Sequence, residues 1–199
     1  MRTLLYVFVF FLSLSLLTAC SYRVDDHYHT AAEHGVVERS VIPFDAAVVE
    51  AYLAGEYTPP DSLTVMETTA ADLKAALKNK SVWINPMFPG CSNMFVENGI
   101  VDKLNRLADT SQTPVLILSI HYLTPLLEPV QDSLNFQPPF LVVSNAAYGE
   151  KNSLFKRNWQ HLLEELIGEK YPKRCNQFLF RADGSCGCLT YEGEFREIH

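Results

Sequence analysis

Two apolar runs constrain this chain more than anything else in it: TPVLILSI, Thr113 to Ile120, and PPFLVVSN, Pro138 to Asn145. Neither alternates. A strand with one face in water shows a polar residue at every second position, so continuous runs imply strands covered on both faces, the condition of parallel strands in α/β sheets. The neighbouring segments carry helical patterns. DAAVVEAYLAG spaces Val48, Val49, Tyr52 and Leu53 for one helix face and ends at Gly55, and Asp72 opens a second amphipathic piece through Leu77. SLFKRNWQHLLEELIGEKY brings Leu154, Phe155, Trp159, Leu162, Leu163 and Leu166 to one side, and a short helix fits around Leu126 to Leu134. SLTVMETT and SVWIN add strands, and QFLFRADGSCGCLTYEGEF places two more around the turn dipeptide Asp183-Gly184. Strands alternating with helices and closed by an antiparallel hairpin predict an α/β sandwich with a mixed sheet.

At 199 residues the chain is long enough for one domain with a full core. Its net charge of -7 argues against a nucleic-acid partner, which requires a basic face. The first residues point elsewhere. Arg2 precedes LLYVFVFFLSLSLL, Leu4 to Leu17, an apolar run suited to a signal sequence and short for a membrane span. It ends in Leu17-Thr18-Ala19-Cys20, which resembles the lipobox of bacterial lipoprotein signal peptides. That resemblance implies a signal peptide over 1–19, lipid on Cys20 as the membrane anchor, a tether over 20–44 and a domain over 45–199. Ser21 is not the acidic residue that marks inner-membrane retention, so the expected location is the outer membrane of a Gram-negative-type envelope. His27, His29 and His34 lie beside Asp25 and Asp26 on this tether and read as a solvated spacer rather than a metal site.

Export exposes thiols to oxidation, so the other four cysteines need roles. Cys91 follows VWINPMFPG and stands where a helical stripe begins, Met94, Phe95, Ile100, Leu104 and Leu107, interrupted by Gly99. The partial positive charge of a helix start favours a thiolate and lowers its pKa from about 8.5. Such a thiolate attacks a disulfide or a peroxide. Met94 has no proton to lose and cannot release the product. With Asp183-Gly184 as a two-residue turn, Arg181 opposes Cys186, Leu179 opposes Cys188, and Cys175 falls opposite Glu192, out of reach of both. A bond between Cys186 and Cys188 would need a kink at Gly187, and the paired CxxC knuckles of a zinc site are missing.

The order of elements over residues 62 to 195 resembles the thioredoxin fold, in particular exported membrane-tethered thiol-disulfide oxidoreductases and their redoxin relatives. On that pattern Asn85 matches the strand-end asparagine, Cys91 the attacking cysteine and Met94 the position of the second cysteine. The family's cis-proline position falls at or next to Cys175, three residues after Pro172. The resemblance implies a three-layer α/β sandwich ending in a hairpin, with an atypical C-terminus. It also implies a catalytic Cys91 shaped by Asn85, Pro89, Ser92 and Asn93, with Cys175 beside it as resolving thiol or static cross-link. No cofactor or metal is implied, and the partner would be a protein thiol or disulfide. Two functions stay open: a thiol-disulfide oxidoreductase or thiol peroxidase, and a redox-inactive binding or structural module of the envelope.

Overall fold

The computed structural model describes residues 41–87, 99–119, 124–148, 158–172, 174–190 and 192–198. The chain is α/β, built on one eight-stranded mixed sheet in the order β1-β2-β5-β4-β3-β6-β7-β8. The strands are β1 Val41–Pro43, β2 Val65–Thr68, β3 Val82–Met87, β4 Val115–Ser119, β5 Phe140–Val143, β6 Cys175–Phe180, β7 Cys186–Thr190 and β8 Phe195–Ile198. The first five are parallel to their neighbours, and β6 joins β3 antiparallel and leads the run β6-β7-β8. The helices are α1 Ala46–Ala54, α2 Ala70–Ala76, α3 Ile100–Ser111, α4 Thr124–Ser133, α5 Asn145–Tyr148 and α6 Asn158–Ile167.

Strand alternation divides the core in two. In β4, Leu116 and Leu118 face one way with α1, α2 and α6, whereas Val115 and Ile117 face the other with α3 and α4. Both sets are buried, which is why the run shows no polar alternation. α6 supplies Trp159, Leu162 and Leu163 to the first core, and α3 supplies Val101 and Leu104 to the second. Local signals fix the helix ends. Asp45 caps α1 by accepting from Ala47 N at 2.9 Å, and Gly55 closes it with φ 76°. For α2 the start lies earlier than expected: Thr69 is the cap and Asp72 its reciprocal partner in a capping box.

Three further differences have local causes. β1 pairs with β2, so residues 41–43, placed in the tether by sequence, belong to the sheet. β8 adds a third antiparallel strand after the hairpin, where its four residues show no apolar period to betray it. α3 begins at Ile100, with Gly99 in the left-handed region at φ 67° as its cap, and Met94 and Phe95 of the expected stripe lie outside the described residues. Pro86 is tolerated inside β3 because pairing with β6 ends at Ile84.

Candidate functional site

Among the described residues the cysteines all lie on the hairpin β6-β7. Phe180 opposes Cys186 and Phe178 opposes Cys188, one residue off the register expected from a two-residue turn. The connection is a three-residue loop, Ala182 to Gly184, closed by Arg181 N donating to Ser185 O at 3.0 Å. Gly184 takes φ 87°, the left-handed third position that such loops require. Asp183 braces the loop by accepting from Ser185 N at 2.9 Å. A second slip follows at the far end of β6, where a bulge between Cys175 and Gln177 sets Cys175 opposite Thr190. One residue from the loop and one from the bulge carry Cys175 from Glu192 to Thr190, within diagonal reach of Cys188.

Cys175 and Cys188 are accordingly joined by a disulfide, with their Cα atoms 5.7 Å apart. The expectation that Cys175 could reach neither hairpin cysteine is corrected by these two register shifts. The same bond corrects the proposed pairing of Cys175 with Cys91. Both halves of the disulfide are 1% exposed and lie in the α6-side core. Around them Tyr171 donates its hydroxyl hydrogen bond to Cys175 O, and its ring stands edge-on to Trp159 at 5.0 Å. A loop closed over a sequence separation of 13 contributes stability on the order of 3 kcal/mol.

Cys186 keeps its thiol. It is buried two residues from Cys188, and burial pushes its pKa up to about 12, against a weaker pull from Arg181. A thiol held protonated to such a pH is no nucleophile at neutrality. No bond joins Cys186 to Cys188, and no cluster of three or more His, Cys, Asp or Glu fit for a metal occurs among the described residues.

Of the residues singled out by sequence, Cys20, Pro89, Cys91, Ser92 and Asn93 lie outside the described residues, as do the histidines of the tether. Asn85 is described. It is buried, 4% exposed, at the carboxyl end of β3, and its Nδ2 approaches Pro86 O at 3.5 Å. It borders a cavity of about 570 Å³ that lies where β3 ends, β6 begins and α3 passes over. Asn176, the residue of the bulge, and the buried Gln177 line this cavity with Asn85. Lys103 and Arg106 reach it from α3, and Leu107, Leu189 and Trp159 give it apolar walls. Sequence reasoning singled out Asn85 but missed Asn176, Gln177 and the two cations. The signal available was the pair Asn176-Gln177, two amides interrupting the apolar run of β6.

No family model, no curated protein and no solved structure matches the chain.

Proposed function

We propose that the chain is an envelope lipoprotein, anchored by lipid on Cys20, whose thioredoxin-like domain acts on disulfides or peroxides through the single reactive thiol of Cys91. One observation carries this proposal. Met87, four residues before Cys91, ends β3 at the carboxyl edge of the parallel strands β3, β4 and β5, and α3 begins at Ile100, nine residues after Cys91. In open α/β sheets this edge is where ligands and reacting groups gather. The finer fold assignment draws support from the run β5-β4-β3-β6-β7, with β3, the strand that precedes Cys91 in sequence, central and an antiparallel hairpin laid against it.

The other cysteines define how the chemistry must run. Cys175 is engaged with Cys188 and Cys186 is a buried protonated thiol, so neither offers a resolving thiolate. The Cys91 thiolate would attack one sulfur of a substrate disulfide, form a mixed disulfide and release the other sulfur as thiolate. With a hydroperoxide it would take the terminal oxygen to give the sulfenic acid, and the alkoxide would leave as alcohol after protonation. Resolution in either case falls to an external thiol. The engagement of Cys175 is also the observation that favours the second function, a redox-inactive binding module. Alkylation by iodoacetamide against pH, in the full-length chain with Cys91→Ser as the blank, separates them. The redox function predicts a half-maximal rate at a pH below the ordinary thiol value of about 8.5. A rate that rises only at or above that pH assigns the domain to binding.

A further inference from the structure

The cavity at the end of β3 has the chemistry of a binding site in its own right, independent of any thiol. Its volume, about 570 Å³, lies within the roughly 300–1,000 Å³ of small-molecule sites. Apolar walls with a few convergent polar groups are the usual composition of such sites. Its uncharged polar groups include three primary amides, beside Thr110, Tyr171 and Thr190. Asn176 Oδ1 is fully buried and has no hydrogen-bond partner among the described residues. An unsatisfied buried acceptor is a cost to the fold that a ligand donor would offset. Gln177, 8% exposed, makes no side-chain hydrogen bond among the described residues, and Asn85 makes only its long contact to Pro86 O. Side-chain amides donate and accept together, so three of them match a ligand that itself carries both carbonyl and N–H groups.

The charges add the second element of recognition. Lys103 and Arg106 are exposed on α3, and neither forms an ion pair among the described residues. Glu192, the carboxylate on the same lining, lies 4.0 Å from Arg174. In a chain of net charge -7, two cations over an amide-lined cavity favour an anion. A phosphate would use the cations and leave the amide acceptors unmatched, whereas a peptide ending in a carboxylate uses both.

We propose that this cavity binds a short peptide-like acid, its amide groups held by Asn85, Asn176 and Gln177 and its carboxylate by Lys103 and Arg106. The test uses the full-length chain in detergent with Cys91→Ser throughout, so that covalent capture plays no part and an unreactive Cys91 leaves the result unchanged. A mixture of N-acetyl tripeptides of varied sequence, with free carboxylates, is offered beside the same set amidated at the C-terminus. Retained peptides are identified by ultrafiltration and mass spectrometry. The expected result is retention of carboxylate forms by about tenfold or more over their amides, lost to the same degree in Lys103→Gln/Arg106→Gln. Both substitutions fall on exposed positions that leave the core intact. Failure to retain any peptide, equal retention of the amides, or retention unchanged in the double variant would each overturn the proposal.

Discussion

Cys186 shows how burial alone decides the fate of a thiol. It shares a strand face with Cys188, yet the structure gives it no sulfur partner, and desolvation raises its pKa to about 12. In the unfolded chain it would titrate near 8.5. A proton kept in the folded state and lost in the unfolded state means that stability is complete below pH 8.5 and declines as pH rises toward 12. The slope is at most about 1.4 kcal/mol per pH unit for one group. Tyr52 and Tyr148, also raised to about 12, start from 10.0 and steepen the decline only above that pH. Urea unfolding at pH 8, 9 and 10 should therefore show a loss beginning before pH 10, and Cys186→Ala should flatten that first part while lowering stability overall. An unchanged slope in the variant would assign the loss to other groups. The residue scale also explains why the candidate site was only partly legible. Cys91 and Asn85 stand out by type and spacing, but Lys103, Arg106, Asn176 and Gln177 meet only through a crossover of the chain.

At the scale of elements, continuous apolar runs made β4 and β5 legible, and caps and periodicity did the same for α1 and α6. β1 and β8 escaped because three and four residues of mixed character carry no period. Hairpin register escaped for another reason: it is set by the number of loop residues and by a bulge, neither of which hydrophobic pattern encodes. The attachment of β8 depends on one glycine. Phe195, 42% exposed, lays its ring over Gly187 and meets Trp83 edge-on at 6.3 Å, with the Arg181 guanidinium 5.4 Å from the ring centre. Arg181 in turn holds Glu197 of β8 through two bonds of 2.8 Å. A Cβ on Gly187 would come 2.3 Å from Phe195 Cζ and 3.0 Å from Arg196 O. Gly187→Ala should thus displace the ring, cost about 1–3 kcal/mol and alter Trp83 fluorescence. Wild-type stability and emission in that variant would refute the packing described for β8.

For the whole molecule, the cysteines of the domain fall into two groups. One pair cross-links the antiparallel hairpin inside a core, and Cys91 stands apart from it in sequence, between β3 and α3 and outside the described residues. This division is the premise of the proposed single-thiol chemistry and of its external resolving thiol. Peptide mapping of the non-reduced protein after alkylation tests it directly. Trypsin cuts after Arg174, Arg181 and Arg196, which leaves Cys175 on one peptide and Cys186 with Cys188 on another, while Cys91 travels between Ser81 and Lys103. The account predicts a cross-linked pair of the first two, joined through Cys188, and a Cys91 peptide alkylated without reductant. A peptide carrying Cys91 linked to Cys175 would contradict it.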